Sequence, residues 1–176
     1  MRKLIESTFV TLNGVIQAPE RWSGPYWDDE HYRYAHDLLF AADALLLGRV
    51  TYEGFAASWP SRSGDDFTDR INRMPKYVAS RTLKDTTWNA TLIGGDVADE
   101  VATLKQQPGQ TILKYGTGDL DRTLMAHELV DEFHFWLFPV AVGTGQRLFE
   151  GMDAQLELAG TTRFKSGIVV MVYTPK

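Results

Sequence analysis

The sequence contains no cysteine and no long apolar run. Without cysteine the chain has no disulfide bond, no thiol nucleophile and no thiolate metal site. A membrane-spanning helix needs about 20 consecutive apolar residues, and no stretch approaches that length. The N-terminal residues Met1 to Glu6 also lack the apolar region of a signal peptide. We therefore expect a cytoplasmic protein without a membrane partner.

Clustered positive charge is missing as well. Lys and Arg number 18 against 23 Asp and Glu, the formal net charge is −5, and no basic stripe is present. Nucleic-acid backbones require clusters of Lys and Arg, so nucleic acid is excluded as the main partner, although one anionic cofactor in a locally basic pocket is compatible. His31 and His36 have a spacing that does not suit a shared metal site on a helix, and we expect no metal.

Strand patterns and helix patterns alternate along most of the chain, and strands dominate the C-terminal third. Apolar residues make up 44% and charged residues 23%, which is ordinary for a globular protein. The length fits one domain over residues 1–176, and repeats, low-complexity tracts and linkers are absent. The pattern predicts an α/β fold with a mixed sheet, flanking helices and an antiparallel C-terminal edge.

The individual elements follow from runs of β-branched and aromatic residues and from acidic residues at helix starts. Strands are predicted at residues 3–12, 44–47, 76–79, 91–93, 111–113 and 131–142, with a closing hairpin near 155–164 and 167–174. Helices are predicted at residues 28–42, 51–57, 67–73, 97–106 and 120–127. The strongest strand signal, at 131–142, fits two interpretations equally: a central buried strand or the interface of a dimer.

Three predicted strand ends carry groups that suit a phosphate. They are Gly48-Arg49-Val50-Thr51, Ser80-Arg81-Thr82 and the glycine turn Gly116-Thr117-Gly118. Each segment alone is typical of an ordinary turn or a solvated strand end. Together they are more informative, because glycine lets a backbone approach a pyrophosphate and a helix N-terminus favours its charge. Ligands in open α/β sheets bind at the carboxyl ends of strands, so we expect the three segments to line one crevice.

Two arginines in these segments favour NADPH over NADH. Arg49 and Arg81 each follow a strand, where a guanidinium group can bind a 2′-phosphate through two parallel hydrogen bonds. Binding the free 2′-hydroxyl of NADH would instead favour an acidic residue directly after the strand, and neither segment has one. Asp119 follows the glycine turn and would repel a phosphate, so we expect its side chain to point away.

An aromatic loop precedes the first predicted helix. Trp22 and Trp27 lie in this loop among glycine and proline residues. Two interpretations are open: the indoles pack on the protein's own core, or they form a flap over a flat ring in an apolar pocket. Asp28 follows the loop and is our candidate for the proton donor that hydride transfer requires, although a carboxylate at this position also caps a helix.

The chain resembles the dihydrofolate-reductase-like family that includes the C-terminal reductase domain of the bifunctional riboflavin-biosynthesis deaminase–reductase. The matching motifs lie at residues 12–16, 47–53, 77–83, 115–118, 129–132 and 139–145. The resemblance implies a largely parallel sheet, NADPH as the hydride donor and frequently a homodimer. It places Asn13 in the active-site loop, and the aromatic loop adds Trp22 and Trp27, so Asn13, Trp22 and Trp27 are the candidate substrate-binding residues. It assigns cofactor binding to Gly48, Arg49, Thr51, Ser80, Arg81, Thr82, Tyr115, Gly116, Thr117, Gly118 and Leu120.

Some positions depart from the pattern of the family. Asn13 stands where the first loop usually has Asp, and Tyr115 stands where the riboflavin reductases usually have a substrate-binding Glu. The junction at residues 48–51 is closer to that of dihydrofolate reductase. We expect an NADPH-dependent reductase that transfers hydride to a small heterocycle, either a pyrimidine resembling 5-amino-6-(5-phosphoribosylamino)uracil or a pterin. The alternative is a non-catalytic NADP-binding module of the same fold.

Overall fold

The computed structural model covers all 176 residues and contains one eight-stranded sheet. The strands are β1 (Leu4–Thr11), β2 (Ala42–Gly48), β3 (Lys76–Ala79), β4 (Ala90–Leu92), β5 (Thr111–Tyr115), β6 (Glu132–Phe138), β7 (Leu156–Arg163) and β8 (Val169–Pro175). The helices are α1 (Asp29–Phe40), α2 (Arg49–Ser58), α3 (Asp66–Arg73), α4 (Val97–Gln106) and α5 (Asp119–Ala126). The order across the sheet is β4-β3-β2-β5-β1-β6-β8-β7.

Most of the sheet is parallel. The six neighbouring strands from β4 to β6 run in one direction. β8 pairs with both β6 and β7 in the antiparallel sense. Parallel neighbours need crossover connections, whereas β7 and β8 are joined directly as a hairpin. The predicted α/β fold, with its largely parallel sheet and antiparallel C-terminal edge, is therefore confirmed.

The C-terminal strands differ from their prediction in two details. The last strand, β8, lies inside the sheet between β6 and β7, so that β7 forms the outer edge. This order fits the side chains, because β8 buries Val170 whereas most of β7 is exposed. β6 ends at Phe138 rather than at residue 142, because Pro139 has no N–H to donate to a strand ladder.

β6 is a central strand. It pairs with β1 on one side and with β8 on the other, which leaves neither edge free. Its residues Phe133, Phe135 and Trp136 are buried within this protomer. The central-strand interpretation is therefore confirmed for Glu132–Phe138, and the buried side chains of this strand are not exposed to a second protomer. A homodimer itself stays a prediction, and it would have to use another surface.

The parallel strands are buried on both faces of the sheet. In β2, Leu46 packs on one face with α4 and α5, while Leu45 and Leu47 pack on the other face with α1, α2 and α3. Alternate residues of a strand point to opposite faces, so burial on both faces explains the unbroken apolar run in β2. A third, aromatic cluster around Trp136 and Phe138 anchors the loop before α1.

The helices begin in two different ways. Asp28, Asp65 and Asp96 cap α1, α3 and α4 by accepting backbone N–H groups of the first turn. α2 begins at Arg49, earlier than the predicted residue 51, and Gly48 before it offers no capping side chain. The first N–H groups of α2 are therefore not capped by a side chain. None of the helices combines the length and the apolar character that crossing a membrane requires.

Candidate cofactor site

The three segments that the sequence singles out for phosphate lie side by side. They follow β3, β2 and β5, which are neighbours in the sheet. Gly48 at the end of β2 is opposite Ala79 at the end of β3. On the other side of β2, Leu46 is opposite Lys114, two residues before the glycine turn. We call this side of the sheet the carboxyl edge. The segments share it, as the sequence predicts.

The glycine turn touches the start of α2. A Cβ atom added to Gly116 would lie 3.2 Å from the Oγ1 atom of Thr51. Gly116 has a φ of 76°, a left-handed conformation that side chains disfavour. Its own N–H is bound to the Ser7 carbonyl at 2.9 Å. The glycine turn therefore lies beside the Thr51 side chain, in the first turn of α2.

The two arginines lie in different settings. Arg49 donates to the Oε2 atom of Glu53 at 2.9 Å, one helical turn further on, and both side chains are about half exposed. An exposed pair of this kind contributes at most about 1 kcal/mol, so a phosphate can replace the carboxylate as partner. Arg81 is exposed, and Thr82 beside it is exposed as well. Ser80 accepts the N–H groups of Thr82 at 3.1 Å and Leu83 at 3.0 Å, so its hydroxyl shapes the turn after β3.

Three predicted cofactor-binding side chains point into the protein. Thr117 directs its hydroxyl to Glu6 and, at 2.9 Å, to Thr8. The ring of Tyr115 packs beside Phe55, and its buried hydroxyl has no hydrogen-bond partner, so burial raises its pKa above the ordinary value. Leu120 packs on the core under α5. At these positions only backbone groups are placed to meet a ligand at the carboxyl edge. Asp119 is exposed.

A buried cluster of charges under the glycine turn was not predicted. Glu6 on β1 is directly opposite Lys114 on β5, and Asp121 approaches from α5. The Lys114 ammonium lies 3.2 Å from Glu6 Oε2 and 2.9 Å from Asp121 Oδ2. All three side chains are almost completely shielded from solvent. We call Glu6, Lys114 and Asp121 the buried triad.

The pKa values of the three triad members shift in different directions. Burial raises the pKa of Glu6 to about 8, against the opposing effect of the Lys114 ammonium. Burial also acts on Asp121, but there the Lys114 charge and hydrogen bonds outweigh it and hold the pKa below its ordinary value. Burial opposes the charge on Lys114, yet the two carboxyl groups together raise its pKa above the ordinary value. At neutral pH the triad is therefore a Lys114–Asp121 ion pair beside a protonated Glu6.

The sequence did contain a signal for the triad. Glu6 is the only charged residue of β1, and Lys114 follows the buried Leu113. Opposite charges inside two buried strands indicate a cross-strand pair, because an unpaired buried charge is costly. The pairing of the strands was still needed to bring the two residues together.

A very small cavity of about 10 Å³ lies beside the glycine turn. Thr117 and Gly118 line one side, and Arg122 and Arg147 contribute guanidinium groups. Arg122 is held by the carbonyl groups of residues 150 and 151 at 2.9 and 2.6 Å. Small-molecule sites begin at roughly 300 Å³, so this cavity is far too small to hold a ligand. The sequence analysis did not identify either of these arginines.

Asn13 ties two loops of the carboxyl edge together. Its side-chain amide donates to the Val142 carbonyl at 2.7 Å and accepts the Val142 N–H at 3.2 Å. Arg147 in turn donates to the Asn13 carbonyl. The loop after β1 and the loop after β6 are thus fixed to each other. Asn13 is an exposed residue, but its side-chain amide is bonded within the protein.

The two tryptophans of the aromatic loop differ. Trp22 is only 8% exposed, packs against the edge of Phe138, and donates its indole N–H to the Gln17 carbonyl at 3.1 Å. Its assignment to an open substrate surface is therefore not supported, because the ring is part of the core. Trp27 is 58% exposed and stacks on the His31 ring, with centroids 5.2 Å apart. Only Trp27 offers an indole face to solvent.

Asp28 acts as a helix cap in this structure. Its Oδ1 atom accepts the His31 N–H at 2.8 Å. This hydrogen bond holds the pKa of Asp28 below its ordinary value, so the carboxylate is ionised at neutral pH. A proton donor needs the opposite shift. The contacts of Asp28 therefore support the capping interpretation and not the role of proton donor.

The sequence and the fold both resemble proteins of known families. The family model of the RibD C-terminal domain matches residues 2–170. The chain is 30% identical to the uncharacterised protein YyaP of Bacillus subtilis (strain 168), over 98% of this chain and 94% of that protein.

Three solved structures show the same fold. A protein of Shewanella sp. PV-4 that is named for riboflavin biosynthesis is 18% identical over 99% of both chains, with a TM-score of 0.79. The deaminase/5-amino-6-(5-phosphoribosylamino)uracil reductase of Thermotoga maritima is 15% identical, covers 99% of this chain and is matched over 57% of its own length, with a TM-score of 0.68. Dihydrofolate reductase of Enterococcus faecalis, complexed with NADP(H), is 14% identical over 99% of this chain and 96% of that enzyme, with a TM-score of 0.66.

Proposed function

Because this chain belongs to the RibD C-terminal domain family, oxidoreductases of the riboflavin-pathway reductase type, we propose that it transfers hydride from NADPH to a small heterocycle. The observation that carries the proposal is the position of the glycine turn beside Thr51, in the uncapped first turn of α2, at neighbouring strand ends. A helix N-terminus and a glycine without a side chain together suit a pyrophosphate. The residues present therefore fit a dinucleotide cofactor.

Different residues of the carboxyl edge bind different phosphate groups of this cofactor. The first N–H groups of α2, at residues 49–51, and the backbone of the glycine turn bind the pyrophosphate. Arg81 and Arg49 bind the 2′-phosphate, which is the group that separates NADPH from NADH. When bound, NADPH supplies the hydride from its nicotinamide ring.

The substrate that we propose is a flat heterocycle, either a pyrimidine resembling 5-amino-6-(5-phosphoribosylamino)uracil or a pterin. The name of the Thermotoga protein supports a pyrimidine, and the dihydrofolate-reductase fold supports a pterin. Trp27 presents an exposed indole face on which such a ring can stack. Asn13 fixes the loops after β1 and β6 at the same edge of the sheet, and it acts there as a positioning residue.

A fluorescence titration tests cofactor binding. NADPH should bind the wild-type protein saturably at micromolar concentrations, and NADH should bind at least about tenfold more weakly, a difference of about 1.4 kcal/mol. Absence of binding at high micromolar NADPH would contradict the proposal. Equal binding of NADH would leave a dinucleotide site but remove the roles of Arg49 and Arg81.

A second candidate function is a non-catalytic NADP-binding module. Asn13 and Tyr115 favour it, because both replace acidic residues of the family, the Asn13 amide is bonded to Val142, and the Tyr115 hydroxyl is buried. This candidate predicts tight NADPH binding without NADPH oxidation on a panel of pyrimidines and pterins. Oxidation of NADPH by any member of the panel would exclude it.

Variants of Asp28 test the proton donor. Asn caps a helix about as well as Asp, but it has no carboxyl proton to give. Since the contacts of Asp28 are those of a cap, we expect Asp28→Asn to keep the turnover and stability of the wild type. Asp28→Ala should lose about 1 kcal/mol of stability. A loss of turnover of about 100-fold or more in Asp28→Asn, at unchanged stability, would instead assign proton transfer to this carboxyl group.

A further inference from the structure

We infer that the buried triad positions the glycine turn for phosphate, so that Glu6, Lys114 and Asp121 act on the cofactor through the backbone that they hold. The inference rests on the proposed cofactor site. It adds a role for three side chains that face away from any ligand and that lie in the core of the molecule. None of them is a catalytic residue, because none reaches the surface of the crevice.

Each member of the triad holds a different group of the turn. Lys114 donates to the Gly116 carbonyl. Asp121 accepts the Gly118 N–H at 2.6 Å, and Glu6 accepts the Thr117 hydroxyl. A carbonyl, an amide and a hydroxyl of three successive residues are thus directed inward.

The contact with Lys114 also sets the direction of the next amide. In a planar trans peptide the carbonyl and the N–H point in opposite directions. Because the Gly116 carbonyl points inward to the ammonium, the Thr117 N–H of the same peptide points outward. No backbone acceptor within the protein takes this N–H. The triad therefore presents an unpartnered donor beside the uncapped start of α2.

The triad also controls the charge beneath the turn. The charged groups that face Glu6 are Lys114 from β5 and Asp121 from α5, and Thr8 and Thr117 add hydroxyl groups. With Glu6 protonated, the triad is neutral. Loss of that proton adds one negative charge under the position where a phosphate binds, and the pKa of about 8 places this change just above neutral pH. Cofactor affinity should then fall as the pH rises through 8.

Lys105 provides a matched control at the opposite end of the sheet. It is another buried lysine that binds one carbonyl, that of Leu129 at 2.7 Å, and one carboxylate, that of Asp131 at 2.5 Å. Asp131 in turn accepts the Leu4 N–H at the beginning of β1. Lys105 has the chemistry of Lys114 without a neighbouring glycine turn.

Binding of two probes by Lys114→Met and Lys105→Met tests the inference. NADP⁺ carries the pyrophosphate, and 2′-AMP lacks it. We expect Lys114→Met to lower the affinity for NADP⁺ at least tenfold and that for 2′-AMP less than threefold, while Lys105→Met changes both less than threefold. If wild-type protein does not bind NADP⁺, the proposed function fails. If it does bind, and the two variants lose affinity for both probes alike, the role of the triad is overturned.

A second variant keeps the test valid if Lys114→Met does not fold. Glu6→Gln has the same shape and stays neutral at every pH. Wild-type affinity for NADP⁺ should fall several-fold between pH 7 and pH 9, and that of Glu6→Gln should stay constant. Lys76 also has a pKa near 8, but it lies at the beginning of β3 and is present in both proteins. An equal fall in both proteins would contradict the inference.

Discussion

The two ends of the parallel sheet use the same buried-lysine chemistry for different purposes. At the carboxyl edge, Lys114 binds a carbonyl of the glycine turn and the carboxylate of Asp121. At the opposite end, which we call the amino edge, Lys105 binds the Leu129 carbonyl and the carboxylate of Asp131. Both lysines are almost completely buried. The groups that surround them decide what each lysine does.

The amino edge is closed by its own contacts. Asp43 pairs with Arg2 and accepts the Gln110 N–H at 2.8 Å, and Asp131 accepts the Leu4 N–H at 2.7 Å. These bonds join one strand or loop to the next. At the carboxyl edge, by contrast, the start of α2 and the amide of Thr117 keep donors without a partner. The comparison indicates that one edge contributes stability and that the other contributes binding.

The largest expected effect is a loss of stability from a substitution at the amino edge. Lys105→Met leaves the carboxylate of Asp131 and the Leu129 carbonyl without their partner, and we expect a loss of about 3 kcal/mol in the free energy of unfolding. Urea denaturation measures this loss. The affinity of the folded variant for NADPH should stay at the wild-type value. A variant that keeps full stability but binds NADPH weakly would reverse the assignment of the two edges.

Substitution of two glycines by alanine should have a smaller effect on stability. One glycine lies at each edge, so the two variants compare the edges directly. Gly116 has φ 76°, and Gly109 before β5 has φ 152°. An added Cβ would lie 3.2 Å from Thr51 Oγ1 at the first and 2.6 Å from Asp43 Oδ2 at the second. We expect each substitution by Ala to cost about 2 kcal/mol of stability.

Only one of the two glycine variants should lose affinity. Gly116→Ala should bind NADPH about 30-fold more weakly, a loss of about 2 kcal/mol, because its methyl group would press on Thr51 in the first turn of α2. Gly109→Ala should bind NADPH like the wild type. Isothermal titration of both variants measures the difference. Equal affinities would show that the glycine turn does not touch the cofactor.

The third effect is a difference between the affinities for NADPH and NADH. Arg81→Ala should lower NADPH affinity about tenfold, or about 1.4 kcal/mol, and leave NADH affinity unchanged. The loss should shrink in high salt, because an exposed arginine is screened. Arg163→Ala is the control, since Arg163 is an exposed arginine on β7, six strand positions away from β3 across the sheet. A parallel loss for NADPH and NADH would place Arg81 on the pyrophosphate instead.

The last effect concerns a region outside both edges. His31 on α1 is packed among Phe9, Trp27 and Trp136, and burial lowers its pKa to about 4. Between pH 6.5 and pH 4 the unfolded chain binds a proton there that the folded chain does not, so stability should fall as the pH falls. Urea denaturation at pH 7 and pH 4.5 should show a smaller fall for His31→Phe than for the wild type. Identical falls would contradict the burial of the neutral ring.

The sequence predicted the backbone of the site better than its side chains. The junction at Gly48 and the glycine turn were identified because strand, glycine and helix follow each other closely in the chain. Their meeting at one edge followed from the rule for parallel strands. The buried triad was not predicted, because Glu6 and Lys114 are 108 positions apart in the sequence. In strands that are buried on both faces, apolar runs do not indicate which residues share a face.

The aromatic loop shows the same limit on a smaller scale. Trp22 and Trp27 have similar neighbours in the sequence, yet one is buried and the other is exposed. Contacts with Phe138, which is far along the chain, decide the position of Trp22. Asp28 has a local partner, the His31 N–H, and its capping alternative was accordingly available from the sequence.

The position of β8 has a consequence for how the molecule assembles. β8 lies between β6 and β7, although both of them precede it in the chain. β7 can join the sheet only after β8 has done so, and until then the backbone of β6 is an open strand edge. During synthesis on the ribosome the edge of β6 stays unpaired until residues 169–175 have been made. Until then it can pair with other chains. We therefore expect the chain to be most prone to aggregation just before β8 leaves the ribosome.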